Sequence, residues 1–301
     1  MREDMDSFQA GGMRVTRVPE LELAPFPVAR LFPDWREELL DGCAEWLDPA
    51  AMTPDRSAAR LSVHAWLVRA PERALLVDTG AGNGKDRPHA PHFDHLDLPF
   101  PERLAAAGAA PEAVDLALLT HLHVDHVGWN TRLADDRWVP TFPNARHVFC
   151  GAELDYYTDP ANLNERNRTS FLCQRDSVLP VVAAGLADFV AVDGSGAPAL
   201  AAATLRFLPT PGHSPHHMVI ALDAPDGGLL FTGDLLHHPL QVRHPELNTL
   251  FDAFPEVARR SRRRILEYAV ETGALVCGGH LPGRGAGRVR RAGGGFAWLP
   301  A

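Results

Sequence analysis

The hydrophobic positions of the chain fall into short runs, several of which end at a histidine, an aspartate or a glycine. Apolar residues dominate positions 114–119, 203–208, 229–232 and 274–277, and each run has the length of a strand rather than a helix. Alternating apolar and polar residues at 13–18 predict one more strand. Because a rigid strand holds the loop that follows it, reactive side chains at strand ends are typical of catalytic sites.

Other segments have their own patterns. Two apolar runs at 61–68 and 74–77 flank a polar turn, which predicts a strand pair. Residues 162–176 are polar and lack a period, so we expect irregular structure there. The remaining predictions are helices at 34–40, 101–108 and 152–157, strands at 147–150, 189–192 and 217–222, a hairpin turn at 226–228 and an edge strand at 289–298.

The longest predicted helix, at 252–272, has apolar residues on one side and many arginines elsewhere. A helix of this kind packs its apolar side on the core and exposes its charged side. We therefore expect the arginines of this helix to form a solvated face, with pairing of some of them to acidic neighbours as the alternative: Arg259, Arg260, Arg262, Arg263 and Arg264.

The domain organisation follows from the segments that lack a period. Residues 1–12 are polar and are expected to form a flexible tail, and residues 13–301 a single domain. Residues 21–60 contain several prolines and no clean pattern, which favours an insertion that acts as a lid. A simple surface elaboration is the alternative for this insertion.

Composition limits the partners and the compartment. The chain has 46% hydrophobic and 22% charged residues, which is typical of globular proteins. A formal net charge of -9 disfavours nucleic acid and anionic membranes as partners. Neither a signal peptide nor an apolar run long enough to cross a membrane is found, and no C-x-x-C pair occurs. A cytoplasmic protein with reduced thiols is therefore expected: Cys43, Cys150, Cys173 and Cys277.

Four residues with metal-binding side chains follow the apolar run at 114–119 in the pattern H-x-H-x-D-H, a clustering that chance does not readily produce even with 15 histidines. Three later strands each end near one more such residue. The candidate metal ligands are His121, His123, Asp125, His126, His213, Asp234 and His280. This set is too large for one tetrahedral zinc ion and suits two adjacent ions. Imidazoles with a few carboxylates favour two zinc ions, with manganese, iron or cobalt as alternatives.

The other histidines are interpreted as structural. His64 lies within a predicted strand, and His216 and His217 are placed to support the ligands from behind. A further group is spaced by three residues, but intervening prolines exclude a helix that would align it. This group is expected in a mobile loop over the site: His89, His92 and His95.

The ordered motifs resemble those of the metallo-β-lactamase fold superfamily. They are D-T-G at 78–80, T-H-L-H-V-D-H at 120–126, P-G-H at 211–213, G-D at 233–234 and G-H at 279–280. The resemblance implies an α+β fold, an αββα sandwich of two mixed β-sheets with helices on the outer faces. It also implies that Asp234 bridges two ions, one bound by His121, His123 and His213 and the other by Asp125, His126 and His280.

Hydrolysis is the chemistry that this resemblance implies. Two adjacent cations hold a hydroxide, because zinc lowers the pKa of bound water to about 7, and the hydroxide attacks an ester, lactone or phosphotriester. Asp125 is expected to orient the nucleophile or accept a proton in addition to binding metal. His237 or its neighbour His238 is a candidate general acid, with a structural role as the alternative for each.

Departures from subfamily patterns narrow the activity. Asp234 argues against β-lactamase activity, since those enzymes lack the bridging aspartate. His123 argues against redox chemistry, since diiron oxygen-reducing relatives have a glutamate at this position. The run G-D-L-L-H at 233–237 is similar to that of methyl-parathion hydrolases. N-acyl homoserine lactonases share the layout but carry a tyrosine shortly after the bridging aspartate, which this sequence lacks, so that quorum-quenching activity is the alternative. A non-catalytic metal-binding module is the alternative from another class.

The expected partner is a small-molecule substrate, with neither nucleic acid nor membrane, and the sequence leaves a homodimer open. Segments expected to form the pocket are rich in aromatic residues, which favours an apolar acyl or aryl group. These residues are Phe32, Trp35, Trp46, Phe93, Phe100, Trp129 and Phe171.

Overall fold

The structure, a computed structural model, describes residues 7–42, 46–201, 203–224 and 228–301. Two predictions, the free thiol of Cys43 and the hairpin turn that begins at Asp226, concern residues outside this part of the chain. The described residues form an αββα sandwich of two mixed sheets with helices on the outer faces, as the sequence predicted.

Strands are numbered along the chain as β1 (Ser7–Ala10), β2 (Met13–Glu22), β3 (Phe26–Pro27), β4 (Ala58–Ala59), β5 (Ser62–Arg69), β6 (Ala74–Val77), β7 (Leu116–Leu118), β8 (Thr131–Ala134), β9 (Arg137–Pro140), β10 (Arg146–Cys150), β11 (Ala187–Val190), β12 (Thr204–Pro209), β13 (Met218–Asp223), β14 (Leu229–Phe231), β15 (Leu275–Cys277), β16 (Ala286–Ala292) and β17 (Gly295–Pro300). The α-helices are α1 (Val28–Leu31), α2 (Phe100–Ala107), α3 (Gly151–Thr158), α4 (Arg168–Ser177), α5 (Leu179–Ala183), α6 (Leu240–Arg243) and α7 (Pro255–Thr272).

The first sheet has the strand order β1-β2-β5-β6-β7-β10-β11. Its first four strands pair antiparallel, and β6, β7, β10 and β11 run parallel to one another. Parallel neighbours have their carboxyl ends at the same edge. The loops that follow β6 and β7 therefore lie side by side, and the loop after β7 carries the H-x-H-x-D-H motif.

The second sheet has the order β12-β13-β14-β15-β16-β17. Only β14 and β15 pair parallel in it; the other neighbours are antiparallel. The parallel pair brings the ends of these two strands together, and Asp234 and His280 follow those ends closely. In each sheet, candidate ligands thus follow at least one strand of a parallel pair.

The inner faces of the two sheets form the main hydrophobic core. Val68 and Leu118 from the first sheet, with Ile220 and Phe231 from the second, are among its buried members. Alternate residues of each strand point to the same face, so a short apolar strand presents one set to this core and another to the outer helices. Removal of this apolar surface from water is the main stabilising contribution.

Helices cover the outer faces. Ile265 and Leu266 of α7 pack on the second sheet, and Phe100 and Leu104 of α2 pack on the first. The prediction of a helix near 101–108 is confirmed, since α2 ends at Gly108, which adopts a left-handed φ of 112° that favours glycine. Within the described residues, no helix has both the length and the apolar character that crossing a bilayer requires.

The predicted flexible tail at 1–12 is wrong for residues 7–12. Strand β1 pairs antiparallel with β2 through a turn at Gly11 and Gly12, whose φ angles are 61° and 69°. Two glycines with positive φ form the tight turn that a two-residue hairpin needs. The ring of Phe8 then packs edge-on against Trp66, with centroids 6.1 Å apart.

The prediction of irregular structure at 162–176 is wrong for its second half, which forms most of α4. The buried side of this helix is largely polar and includes Ser170, Gln174 and Ser177, so no apolar period marks it. Gln174 donates a hydrogen bond from Nε2 to the carbonyl of Leu122, 2.9 Å away. The helix therefore packs on the ligand loop through polar contacts.

The prediction of a solvated arginine face on α7 is wrong for Arg262. Its side chain is completely buried, whereas Arg260, Arg263 and Arg264 are exposed. The guanidinium is stabilised inside the protein by Asp252 and by several backbone carbonyls, which replace the water it loses.

Residues 23–42 and 46–61 pack around a small hydrophobic cluster of their own. Leu31, Phe32 and Leu61 meet Leu240 and Leu247 from the α6 region. The helix predicted at 34–40 is a single three-ten turn at Glu37–Leu40. The predicted edge strand at 289–298 forms parts of two strands, because the hairpin of β16 and β17 turns within it.

Candidate metal centre

The loop after β7 is tied by its backbone to the loop after β6. Asp78 accepts a hydrogen bond at Oδ1 from the amide of Thr120, 2.8 Å away. At the other end of the ligand motif, the carbonyl of His126 accepts from the amide of Thr79 at 2.8 Å. The motif from His121 to His126 is therefore held at both ends by residues that follow β6.

One group of candidate ligands consists of His121, His123, His213 and Asp234, whose nearest ligand atoms all lie within 4.8 Å of one another. His213 Nε2 is 2.8 Å from His123 Nδ1 and 3.1 Å from Asp234 Oδ2. His121 Nε2 is 3.9 Å from the same carboxylate oxygen. Four side chains from three separate loops thus point at one small volume.

The second group consists of Asp125, His126 and His280. Nε2 of His280 lies 3.3 Å from Nε2 of His126 and 3.6 Å from Oδ2 of Asp125. Asp234 also reaches this group, since its Oδ1 is 2.9 Å from His126 Nε2 and 3.1 Å from His280 Nε2. The two oxygens of Asp234 therefore face both groups, and the structure brings all seven predicted residues together.

The residues of both groups fit divalent cations. Nε2 of His121 is buried and has no hydrogen-bond partner among the described residues, although it points at the cluster. His123 Nδ1 lies 2.8 Å from His213 Nε2, and His126 Nε2 lies 3.3 Å from His280 Nε2. In each of these two pairs, at least one nitrogen directs a lone pair into the cluster. Imidazole nitrogens with carboxylate oxygens are ligands that divalent transition metals prefer. A cation satisfies these atoms together.

Three of the candidate ligands have the charge state that metal binding requires. Burial, followed by the charges of neighbouring histidines, holds the pKa of His121 and of His123 well below the usual range, so both rings are neutral. Burial would raise the pKa of Asp234, but the surrounding histidines, led by His126, hold it well below its usual value. Neutral imidazole and ionised carboxylate are the forms that bind metal. In the other ligand group, burial lowers the pKa of His126 and of His280, but the charge of Asp234 raises it above the usual range, so a bound cation would replace protons on these two rings.

Two of the ligand rings have partners on the side that faces away from the cluster. Nδ1 of His126 is 2.9 Å from Oδ2 of Asp78, and Nδ1 of His280 is 2.9 Å from the carbonyl of Ser62. Such partners fix the orientation and tautomer of a ligating histidine. The D-T-G motif thus has a physical role, because its aspartate orients His126.

A third partner, Tyr157, was not found by the sequence reasoning. Its hydroxyl lies 2.7 Å from Nε2 of His123, and the tyrosine is buried in α3. Tyr157 is 34 residues from His123 in sequence, and a tyrosine in a short helix carries no local signal of this role. Asp252, which faces Nδ1 of His213 at 3.7 Å, was missed for the same reason.

The structure separates the two neighbouring histidines after Asp234. Nε2 of His237 lies 3.2 Å from Oδ2 of Asp234, and its ring stacks between those of His280 and Phe251 at centroid distances of 5.3 and 5.5 Å. His238 points elsewhere, with Nε2 3.1 Å from the carbonyl of Ala51. Only His237 is therefore in a position to contact a molecule bound at the cluster.

His217 lies behind the cluster. Its Nε2 accepts from the amide of Asp234 at 3.2 Å, so Nδ1 carries the proton and faces Thr210 Oγ1 at 2.8 Å. This bond fixes the backbone of Asp234. His216 is half-buried, and its amide donates to Glu153 Oε2 at 2.8 Å.

Several other predicted residues lie away from the cluster. His64 is buried, with Nε2 2.9 Å from the carbonyl of Gly278. The predicted loop group His89, His92 and His95 contributes no ligand to either group, and His95 instead contacts Asp94 at 3.0 Å. Phe32, Phe100 and Trp129 belong to hydrophobic cores, so the prediction that they line a pocket is wrong; the half-buried members of that prediction are Trp35, Trp46, Phe93 and Phe171.

Comparison with known proteins agrees with the fold and the cluster. The family model of the metallo-beta-lactamase superfamily matches residues 58–280. A probable metallo-hydrolase of Bacillus subtilis (strain 168), YybB, is 26% identical over 203 residues, which cover 64% of this chain and 74% of the relative.

Two solved structures cover almost the whole chain. The hydrolase AbOPH of the beta lactamase superfamily is 26% identical, with a TM-score of 0.79, and the match covers 99% of this chain and 97% of that one. AidC, a dizinc quorum-quenching lactonase, has a TM-score of 0.77 over 99% of this chain and 97% of its own. At 20% identity, the likeness to AidC concerns the fold alone.

Proposed function

Because the chain belongs to the metallo-β-lactamase superfamily, we propose that it is a dinuclear zinc-dependent hydrolase of an ester, lactone or phosphotriester. The observation that carries the proposal is the position of Asp234. Its Oδ2 lies 3.1 Å from His213 Nε2, and its Oδ1 lies 2.9 Å from His126 Nε2. One carboxylate that faces two groups of imidazoles is the arrangement expected for a ligand shared by two cations.

In this proposal each ion has its own set of ligands. The first set is His121, His123 and His213, the second is Asp125, His126 and His280, and Asp234 belongs to both. Bound divalent cations would supply a nucleophilic hydroxide near neutral pH and would polarise the oxygen of the bond that is cleaved. Manganese, iron or cobalt would occupy the same donor set.

Substrate reaches the cluster from the side of His123 and Asp125. These two side chains are half-buried, whereas the other five candidate ligands are buried. Asp125 combines metal binding with orientation of the nucleophile or acceptance of its proton. His237, whose Nε2 lies 3.2 Å from Oδ2 of Asp234, gives a proton or a hydrogen bond to the leaving oxygen.

The aromatic residues beside His237 favour a substrate with an apolar acyl or aryl group. Phe251 stacks on His237 with ring planes 26° apart, and Phe26 packs edge-on against Phe251 at 5.9 Å. Phe26 belongs to the segment at 21–60, which we propose as the lid of the pocket. The face of a flat apolar group matches such a wall better than a small polar group does.

N-acyl homoserine lactonase activity is the second candidate. The substrate would present an acyl chain and a lactone ring, which fits the same apolar wall and the same hydrolytic chemistry. AidC shares the fold with this chain and is a lactonase. Against it, such lactonases carry a tyrosine shortly after the bridging aspartate, and none is present in the residues that follow Asp234 here, L-L-H-H at 235–238. A broader ester or phosphotriester hydrolase is therefore preferred.

The test combines metal analysis with hydrolysis assays on the full-length protein. An aryl ester, an acyl homoserine lactone and an aryl phosphotriester are offered to the wild type, to Asp234→Ala and to Asp188→Ala. Asp188 is a matched control, because it pairs with Arg146 at an exposed position outside the cluster. We expect two zinc ions per chain and turnover in the wild type and the control, and loss of turnover in Asp234→Ala.

The outcomes separate the candidates. A preferred lactone would establish the lactonase, and a preferred aryl ester or phosphotriester the broader hydrolase. Two bound ions without turnover of any of the three would favour a non-catalytic metal-binding module. No bound metal, or turnover indifferent to the loss of Asp234, would contradict the dinuclear hydrolase.

A further inference from the structure

The strongest feature outside the ligands is a buried ion pair between Arg262 of α7 and Asp252, which lies just before that helix. Arg262 and Asp252 are both completely buried at their side chains, and Nη2 of the arginine lies 3.1 Å from Oδ2 of the aspartate. A buried ion pair contributes little net stability, because the desolvation of the two charges offsets much of their attraction. Its position therefore has to be explained by what it contacts.

Asp252 faces one of the candidate ligands. Oδ1 of Asp252 is 3.7 Å from Nδ1 of His213, which is longer than a hydrogen bond. Both atoms are buried, and neither has a hydrogen-bond partner among the described residues. A hydrogen bond between them is the arrangement that satisfies both, and a small turn of the imidazole ring is enough to form it.

The other nitrogen of His213 points into the cluster, 2.8 Å from His123 Nδ1 and 3.1 Å from Asp234 Oδ2. A histidine that binds a cation through Nε2 must carry its proton on Nδ1. A carboxylate that accepts this proton fixes both the tautomer and the direction of the lone pair. Asp252 is the carboxylate that lies on this side of His213.

Arg262 in turn fixes Asp252 and reaches the Asp234 loop. Its Nε donates to the carbonyl of Leu235 at 2.9 Å, directly after Asp234. Its Nη1 donates to the carbonyls of Pro245 and Leu247 at 2.9 and 3.0 Å. One rigid guanidinium therefore connects the segment that carries Asp252 with the turn that carries Asp234.

Helix α7 and the residue before it also donate hydrogen bonds to the backbone of the His213 loop. Ser261 Oγ donates to the carbonyl of Pro211 at 2.7 Å, and the amide of Phe254 donates to the carbonyl of Gly212 at 2.7 Å. A Cβ on Gly212 would lie 2.3 Å from the Cα of Ala258, so only glycine permits this approach. The helix and the ligand loop form one unit in which Asp252 has little freedom to move.

We propose that Asp252 and Arg262 are positioning residues that hold His213 and the Asp234 turn in the geometry required for metal binding. Asp252 accepts a hydrogen bond from Nδ1–H of His213, and Arg262 holds Asp252 and the carbonyl of Leu235 in a fixed relation. The inference rests on the dinuclear centre of the proposed function. In this inference α7, which contributes no ligand itself, positions two ligands that lie on separate loops.

The test measures metal affinity rather than turnover. Full-length protein is stripped of metal by chelator dialysis, and zinc is titrated against a chromophoric chelator. Asp252→Asn keeps the shape of the side chain but removes the charge and one acceptor. Asp176→Asn is the matched control, since Asp176 pairs with Arg87 at 2.6 Å in a largely buried site and contacts no candidate ligand. Arg262→Lys keeps the charge but cannot reach all of the carbonyls.

We expect Asp252→Asn and Arg262→Lys to weaken zinc binding about 10- to 100-fold. The control should lower the thermal unfolding temperature of the metal-free protein but leave zinc affinity within about threefold of the wild type. Cobalt-substituted Asp252→Asn should also show a shifted visible absorption spectrum, which a general loss of stability does not produce. Zinc affinity and cobalt spectrum both equal to the wild type in Asp252→Asn would overturn the inference.

A second measurement needs no folded variant. In zinc-loaded wild type labelled with ¹⁵N-histidine, the ring proton of His213 should be on Nδ1 and should exchange slowly with water. A proton on Nε2 would overturn the inference even if Asp252→Asn failed to fold. A wild type that binds no zinc would remove the proposed function as well, whereas a zinc-loaded wild type with an indifferent Asp252→Asn would contradict the inference alone.

Discussion

Oδ2 of Asp78 lies 2.9 Å from Nδ1 of His126, on the side of the imidazole that faces away from the other candidate ligands. The same aspartate accepts from the amide of Thr120 through Oδ1, so it holds one ligand ring and the start of the ligand loop together. Its φ angle is 56°, in the left-handed region that aspartate and asparagine tolerate better than most residues.

Asp78→Asn should weaken zinc binding by about tenfold or more, because the amide keeps the backbone conformation but loses the charge that orients His126. Zinc competition with a chromophoric chelator measures the change. Asp115→Asn serves as control, since Asp115 accepts from the amide of Ala74 at 2.8 Å at the opposite end of the same strands. Equal zinc affinities of the two variants would contradict the role assigned to Asp78.

Tyr157→Phe should destabilise the metal-free protein by about 1 kcal/mol, because it removes the hydroxyl beside Nε2 of His123 while the ring stays in place. Urea unfolding gives the free energy. Tyr156→Phe is the control, on the adjacent half-buried ring. If both substitutions changed the free energy of unfolding equally, the hydroxyl of Tyr157 would have no special part in holding His123.

The strands and the ligands were accessible to sequence reasoning because their signals are local. The apolar run at 114–119 contains β7, and the motif that follows it places four ligand types within a few residues. The separate ligands His213, Asp234 and His280 each follow a short apolar run. A short apolar run typical of a strand, followed by a residue with a metal-binding side chain, is sufficient for such a prediction.

The burial of Arg262 was not predicted from the sequence. In sequence it resembles Arg263, but the two point in directions about 100° apart around the helix axis. Ala258, Ile265, Leu266 and Ala269 are buried at positions that share a face with Arg262. The helical period thus places Arg262 on the buried face of the helix, but the five arginines in this segment favoured the prediction of a solvated face.

Asp252 and Tyr157 were out of reach for a different reason. Asp252 is 39 residues from His213 along the chain, and Tyr157 is 34 from His123. Neither belongs to a motif, and their contacts arise only when α3 and α7 pack on the sheets. Contacts of this kind depend on tertiary packing, which one sequence does not reveal through its periodicity.

Glu20 should make stability depend on pH between about 4.5 and 7. Burial raises its pKa from 4.5 to about 7, against the opposing effect of hydrogen bonds from the amides of Ala81 and Gly82 and from Trp129. The protonated form is thus favoured in the folded state. The contribution of Glu20 is largest below pH 4.5, falls as the pH rises, and is lost above about pH 7.

Urea unfolding of the wild type and of Glu20→Gln from pH 5 to 8 measures this effect. The free energy of the wild type relative to the variant should fall with pH by up to about 1.4 kcal/mol per unit, and level off above pH 7. Effects of pH on the metal cluster are common to both proteins and cancel in the difference. A difference that is constant across the range would show that Glu20 titrates alike in the folded and unfolded chains.

Gly128→Ala should abolish or strongly reduce metal binding, because a Cβ at this position would lie 1.9 Å from the carbonyl carbon and oxygen of Ala81. Ala81 cannot withdraw easily, since its amide donates to Glu20 Oε2 at 2.6 Å. The strain must therefore move the ligand loop that ends at Gly128, at a cost of at least about 1–3 kcal/mol. Thermal unfolding and zinc content measure both effects.

Gly151→Ala is the control for this substitution, since its Cβ would meet only the side chain of Phe189, at 3.4 Å. Full zinc content in Gly128→Ala would show that the loop after β6 gives way without disturbing the ligands.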